Sequence, residues 1–245
     1  MFTLSDVSKS YGSSIALDNV DLCIEGGATT ALIGPSGAGK STVLRLLIGL
    51  EWPDMGEVCF DGERLRRECL LAQRRRIGYV IQEGGLFPHL TAAANIALLA
   101  RTLGWSPARI GARSRELADL CQLPDAALQP SPPHPRGGQR QPRGLSRALI
   151  PDPPVLLLDE PLGALDPIVR HELQEQMRAI FAALDKTVVL VTHDVAEAAF
   201  LADTLVLLRA GRVVQQGRVK ALLDAPAEPF VREFLSAQRS LAEAR

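Results

Sequence analysis

The chain of 245 residues is 47% hydrophobic and 22% charged, with 27 basic against 28 acidic side chains and a net charge of −1. That length allows one large domain, or one domain with an inserted lobe, and either buries a sizeable core. The near-zero balance excludes a global electrostatic pull toward nucleic acid or an anionic membrane, so partners are met through local patches and no nucleic acid is expected. Cys23, Cys59, Cys69 and Cys121 show no paired short spacing. They read as core residues in a reducing compartment, with neither a zinc site nor a disulfide framework. The opening MFTLSDVSKSY lacks a basic start before an apolar run, and no stretch reaches the roughly 18 uninterrupted apolar residues of a spanning helix. A cytosolic chain is therefore expected.

Short β-rich runs are expected at Phe2-Thr3-Leu4, at 16–24 and at 29–33, with a turn at Gly26-Gly27. From Ser41 the period changes: Val43, Leu46, Leu47 and Leu50 fall at i, i+3, i+4 and i+7, which gives a helix one buried face. Val58-Cys59-Phe60 before Asp61-Gly62 reads as a hairpin strand. The run Arg74-Arg75-Arg76 reads as a solvated face, followed by a buried strand at 77–81. Residues 91–149 are Ala/Leu/Arg-rich and helical, broken by Pro130, Pro132, Pro133 and Pro135, and read as an inserted helical lobe. The apolar run 155–158, ending in two carboxylates, has the form of a parallel strand buried on both faces. A helix follows, with Leu173, Met177, Ile180, Phe181 and Leu184 on one side, and then a second buried strand at 188–191. Asp194 with Glu197 resembles a capping box. Residues 204–208 and 212–215 around Ala210-Gly211 form a terminal hairpin, and the tail from Lys220 reads as helical and polar. Strands alternating with helices on this scale imply a mostly parallel sheet with helices on both faces.

Gly34-Pro35-Ser36-Gly37-Ala38-Gly39-Lys40-Ser41 fits the phosphate-loop pattern, with the strand before it and the helix after it that the pattern requires. Glycines let backbone amides close around a β-phosphate, and the helix N-terminus adds positive potential. Lys40 reaches the β- and γ-oxygens, and the Ser41 hydroxyl ligates magnesium. Asp159 and Glu160 end an apolar strand, where ligands of parallel sheets collect. Asp159 suits the metal, and Glu160 suits polarising an attacking water. Gln82 ends another strand and could bridge magnesium and the water; His193 ends a third and could contact a γ-phosphate. Singly, either is an ordinary polar strand terminus. Tyr11 offers a flat face for stacking on a base, as a partly buried structural tyrosine also would.

In this order the motifs resemble those of the ATP-binding subunits of ABC transporters, over nearly the whole chain. The resemblance makes Tyr11 the base-stacking residue, 34–42 with Thr42 the Walker A segment, and Gln82 the Q-loop. It places Gly137-Gly138-Gln139 in the signature loop, 155–160 as Walker B with the catalytic glutamate, Gly163-Ala164-Leu165-Asp166 as the D-loop, and His193 as the switch histidine. The implied fold is an α/β P-loop NTPase (RecA-like) core with an antiparallel β-subdomain and an inserted α-helical lobe. Residues 1–87 and 150–219 would form the core with the β-subdomain, 88–149 the signature lobe, and 220–245 a helical tail. The implied activity is hydrolysis of ATP with Mg2+. The implied assembly is a head-to-tail homodimer or pseudo-dimer, with integral membrane permease subunits and an extracytoplasmic solute-binding protein, at the inner face of the cell membrane. "RRRIGYVIQEGGLFPHLTAAANIALL" and "DEPLGALDPIVRHELQEQ" are similar to importer subunits for quaternary-amine osmoprotectants such as glycine betaine, choline or carnitine.

One stretch departs from the pattern. Where the family has LSGGQ, the chain reads Pro135-Arg136-Gly137-Gly138-Gln139. The lost serine would donate to a partner's γ-phosphate; a hydrogen bond to a charged group is worth about 1.5–3 kcal/mol. The Arg136 guanidinium could pair with that phosphate, yet it is far longer and could hold two subunits apart. The expectation is weaker closure and slower turnover, with single-subunit nucleotide binding retained. A second reading from another class is an ATP-binding switch or partner subunit with weak hydrolysis.

Overall fold

The computed structural model describes residues 1–123, 140–163 and 165–243. In chain order the strands are β1 (Phe2–Tyr11), β2 (Ser14–Ile24), β3 (Thr29–Ile33), β4 (Met55–Phe60), β5 (Glu63–Arg64), β6 (Ile77–Val80), β7 (Val155–Asp159), β8 (Thr187–Val191), β9 (Thr204–Arg209) and β10 (Arg212–Gly217). The helices are α1 (Lys40–Leu47), α2 (Leu70–Arg74), α3 (Ala92–Thr102), α4 (Pro107–Leu120), α5 (Arg140–Leu149), α6 (Pro167–Leu184), α7 (Val195–Leu201), α8 (Val219–Asp224) and α9 (Pro229–Glu243). Backbone contacts gather them into two units, Met1–Arg74 with Asp185–Arg245, and Arg75–Leu184.

In the first unit an antiparallel sheet runs β2-β1-β4-β5. Phe2 and Leu4 of β1 are buried while Thr3 between them is exposed, as the two-residue period of a strand dictates, and a register shift after Leu4 turns Val7 inward as well. Phe2 and Phe60 face each other with ring centroids 4.8 Å apart, and neither is more than 1% exposed. β1 runs on well past the expected Phe2-Thr3-Leu4. Its polar second half shows no apolar alternation, but it is held by pairing with β2 down to Tyr11↔Ser14. Beside it Lys9 Nζ and the Ser10 amide both donate to the Asp54 carboxylate, at 2.9 and 2.7 Å.

The other sheet of this unit has the order β10-β9-β3-β8, with β3 parallel to both neighbours and β9–β10 an antiparallel hairpin. β3 and β8 are buried at every position, so their apolar runs do not alternate. α1 stops at Leu47 because Gly49 turns left-handed at φ 65°. Leu50, expected on the buried face, therefore lies beyond the helix and is 52% exposed. Arg74 is no solvated side chain: its guanidinium donates to the carbonyls of Ile48 and Gly49 at 3.0 and 2.7 Å, satisfying acceptors past the helix end. Asp194 caps α7, accepting from the amides of Ala196 and Glu197 at 2.8 and 3.1 Å. Leu222 of α8 and Val231 and Leu235 of α9 are buried, so the tail is amphipathic, not polar throughout. The cysteines correct another expectation, since only Cys121 is buried while Cys23 and Cys69 are exposed. Cys23 takes the outward step of a strand whose Leu22 and Ile24 point in.

In the second unit β6 and β7 pair in parallel, from Ile77↔Val155 to Val80↔Leu158. Ile81, expected within the strand, falls just outside it and is 42% exposed. A short 3-10 turn follows at Gln82–Gly85. Thr91 and Ser106 cap α3 and α4 by accepting from the amides of Ala94 and Arg109. Leu173, Met177, Ile180 and Phe181 of α6 are buried as the helical period predicts, with Leu184 half-buried. The proline cluster lies outside the described residues.

Truncating Phe60 to Ala removes one of the two stacked rings and should cost about 3–5 kcal/mol of stability. Urea unfolding monitored by circular dichroism checks this; a loss below about 1 kcal/mol would mean the pair is not central to that core.

Candidate functional site

The loop between β3 and α1 is shaped by close approaches that only glycine permits. The register Ile33↔Leu207 carries Gly34 to the Leu208 carbonyl, and a Cβ built on Gly34 would lie 2.1 Å from that oxygen. At Gly39, with φ 101°, a Cβ would lie 2.5 Å from the Ala16 carbonyl oxygen and 2.7 Å from Leu17 Cδ2. Both are well inside any real contact, and the left-handed backbone adds strain for a side chain. Between them Pro35, Ser36 and Gly37 are exposed at the crest, whereas Ala38 is buried. The crest is fixed from below: the Ala38 amide donates to the Pro35 carbonyl, and the Gly211 amide to the Ala38 carbonyl, each at 3.2 Å.

Gly39 is the N-cap of α1 and has no side chain with which to cap it. The first-turn amides of a helix and its dipole together favour an anion. Lys40 is only 7% exposed, and its Nζ donates to the carbonyls of Gly34 and Pro35, both at 2.8 Å. Ser41 is half-buried and Thr42 buried at the same helix start. The loop therefore presents glycine-walled backbone, an ammonium and a hydroxyl within eight residues, a set that fits a polyphosphate.

His193 reaches the same edge of its sheet. β3 and β8 pair to Leu32↔Val191, and the Thr192 amide still donates to the Leu32 carbonyl at 3.3 Å. His193 then leaves the strand, exposed, at the level where β3 gives way to Gly34. Tyr11 ends β1 with 41% of its surface exposed and Lys9 Nζ 5.6 Å from its ring centroid.

The second unit carries the acids Asp159 and Glu160. Two steps past Val80↔Leu158, the parallel register sets Gln82 opposite Glu160, and Gln82 Nε2 donates to Glu160 Oε2 at 3.4 Å. That bond is long. Glu160 adopts φ 46°, an uncommon conformation for a non-glycine residue, and its carbonyl accepts from the Gly163 amide at 3.2 Å. Asp159 is half-buried at the end of β7. Asp166, assigned to the nucleotide by resemblance, has a local task, because its Oδ1 accepts from the Val169 amide at 3.1 Å and caps α6. Arg136, Gly137, Gly138 and Gln139 lie outside the described residues, as does Ala164.

Among the described residues no group of three or more His, Cys, Asp and Glu gathers to hold a metal. The residues expected at magnesium, Ser41, Gln82 and Asp159, each offer an oxygen, the donor a hard cation takes, and such an ion keeps waters and phosphate oxygens for its other positions. The donor chemistry fits.

Two side chains near Gln82 escaped the sequence reading. Asn95, 2% exposed in α3, accepts from the Phe87 amide at 2.8 Å and donates to the carbonyls of Phe87, Leu90 and Thr91 at 3.1–3.2 Å. Arg147 of α5 donates to the Gly85 carbonyl at 2.6 Å, and burial pulls its guanidinium pKa below the usual arginine value. A lone amide in an alanine-rich helix is the one signal that could have pointed to Asn95; for Arg147 there was none.

Residues 17–163 match the ABC transporter family. The chain is 47% identical over 234 residues to the glycine betaine uptake system ATP-binding protein YehX of Escherichia coli, covering 96% of this chain and 76% of that one. It is 44% identical over 240 residues to the choline transport ATP-binding protein OpuBA of Bacillus subtilis, covering 98% of this chain but only 63% of that protein's length. A sulfate/thiosulfate import ATP-binding protein of Thermosynechococcus vestitus, CysA, is 45% identical over 233 residues, covering 95% and 68%. The dimeric post-hydrolysis structure of the ATP-binding cassette MJ0796, bound to ADP and Pi, superposes with a TM-score of 0.80 at 33% identity, covering 89% of this chain and 99% of that one.

The glycine contacts make a contrast testable. Gly39→Ala meets backbone as well as strain, whereas at Gly37, φ 76°, nothing lies within 4 Å of an added Cβ and only the strain of about 1–2 kcal/mol applies. Gly39→Ala should therefore lower the melting temperature clearly further than Gly37→Ala in differential scanning calorimetry; equal shifts would contradict this packing.

Proposed function

Because the chain belongs to the ABC transporter family, we propose that it is an ATP-hydrolysing subunit powering a membrane importer, with quaternary-amine osmoprotectants as the solute. The observation that carries this is the glycine-walled turn from β3 to α1, with Lys40 Nζ held on the carbonyls of Gly34 and Pro35. Those two bonds can be exchanged for phosphate oxygens, which offer the ammonium a full countercharge. Amides of the loop crest and of the first turn of α1 bind the polyphosphate, Tyr11 stacks on the base, and His193 reads the terminal phosphate. Glu160 takes the proton of the attacking water, with Gln82 orienting that water beside it. The family resemblance assigns both sets of residues to one ATP. By the family resemblance Ser41, Gln82 and Asp159 would hold magnesium through their oxygens, and the ion would supply charge neutralisation on the phosphates.

MJ0796 is a dimer carrying ADP and Pi. For this chain the same arrangement, as homodimer or pseudo-dimer, would bring Arg136, Gly137, Gly138 and Gln139 of one subunit to the nucleotide of the other, with Asp166 close by. No helix among the described residues is long and apolar enough to cross a membrane. By the family resemblance, permease subunits carry the solute, a solute-binding protein delivers it, and this chain works peripherally at the inner face. The osmoprotectant assignment rests on YehX and OpuBA and on the two quoted segments, while a sulfate importer subunit is similar to nearly the same degree. An ATPase subunit does not bind the solute, so uptake of labelled betaine or choline by the reconstituted system decides the matter. A switch that binds ATP without turning it over has no use for a carboxylate at Glu160, so the motor reading leads.

Glu160→Gln should lower phosphate release at least about 100-fold while ATP binding persists, the loss expected of a general base. Retained turnover would remove Glu160 from that role. Arg136→Ser should raise steady-state turnover about tenfold, the equivalent of one charged hydrogen bond regained; equal rates would show that Arg136 has no bearing on closure.

A further inference from the structure

The segment between β6 and α3 is fastened at two points that phosphate chemistry leaves unused. Asn95 holds its far end, binding the backbone of Phe87, Leu90 and Thr91. Arg147 holds its near end, with Nη1 2.6 Å from the Gly85 carbonyl oxygen and the guanidinium 6.0 Å from the Phe87 ring centroid. Gly85 itself sits at φ 55°, and a Cβ there would lie 2.3 Å from Ile81 Cγ1 and 3.3 Å from Arg147 Nη2. Glycine is what lets the turn close under the guanidinium.

Gly85 and Gln82 are the two ends of one 3-10 turn. The Gln82 amide reaches Glu160 through a bond of 3.4 Å, already at the long limit, so a small rotation of the turn makes or breaks it. Arg147 belongs to α5, which begins at Arg140, directly after Gly137-Gly138-Gln139 in the chain. A charge-assisted bond of this length is stronger and more directional than the long amide bond it governs.

We propose that Arg147 is a positioning residue for hydrolysis: by fixing the Gly85 carbonyl it sets the 3-10 turn and, through it, the alignment of Gln82 on Glu160, so that α5 acts on the water-activating carboxylate. This rests on the ATPase reading above. Asn95 is the fixed end against which Arg147 works. A merely structural arginine would lower stability and leave the kinetic split untouched.

The test uses the full chain with Arg147→Lys and Arg147→Ala. Both should bind Mg-ATP with a Kd within about twofold of the unaltered chain, since the residues of 34–42 are unchanged. Their kcat should fall about ten- to a hundredfold, the equivalent of a charged hydrogen bond, with KM little changed. Methylguanidinium added to Arg147→Ala should restore part of that loss, and amide exchange over residues 82–86 should quicken. If Arg147→Ala does not fold, Arg147→Lys carries the kinetic and exchange readouts. Turnover within twofold of the unaltered chain, or a KM rising in step with the fall in kcat, would overturn the proposal. Should the unaltered chain hydrolyse no ATP, it is the ATPase reading that fails. The exchange of residues 82–86 then decides whether Arg147 positions the turn, and unchanged exchange overturns that too.

Discussion

A buried parallel strand that must become a helix within six residues, without covering the helix's first amides, is the constraint on which the loop from Gly34 to Gly39 and the role proposed for it depend. β3 is inaccessible along its whole length, so the chain emerges from it with no freedom to drift. Gly34 and Gly39 then pass against backbone carbonyls from β9 and β2, at separations no side chain tolerates. The loop is walled by main chain on two sides and tied to the β9–β10 hairpin by the Gly211 amide. Its donors are thus set in place by packing that exists before any anion arrives, and binding does not have to order them.

Strand register does comparable work elsewhere. Parallel pairing of β3 with β8 delivers His193 to the edge where the loop begins, and parallel pairing of β6 with β7 delivers Gln82 to Glu160. In both cases a residue that looks like an unremarkable strand terminus is placed by the level at which its strand stops. Glu160 shows the cost of such placement, since it holds a left-handed backbone that a surface glutamate would avoid. Asp166 illustrates the opposite point: a residue singled out by a motif can also be accounted for by capping a helix.

What could be read in advance was whatever depends on local period or on a contiguous motif. The buried strands at 29–33 and 188–191, the loop from Gly34 to Ser41, the hairpin at Asp61-Gly62 and the α6 face all belong to that class. Features set by partners distant in sequence could not be read. The polar half of β1 is a strand because β2 pairs with it, and Arg74 is occupied because two carbonyls past the end of α1 need a donor. Leu50 differs: the signal was local, since the adjacent Gly49 ends the helix before it. Cys23 shows that a small apolar residue says nothing about its face until the strand's phase is known. Arg147 left no trace in the sequence because its acceptor, the Gly85 carbonyl, lies 62 residues away, and the lone amide Asn95 gained its meaning only from the shape of the turn that it binds.

The central claim is that residues 34–42 hold a nucleotide's phosphates, with Lys40 as the charged member of the set. Isothermal titration calorimetry of the purified chain with Mg-ATP tests it most directly. Saturable heat at one site per chain, lost or weakened at least about tenfold in Lys40→Ala, is the predicted result. A flat titration with the unaltered chain, or identical isotherms for the two proteins, would contradict it.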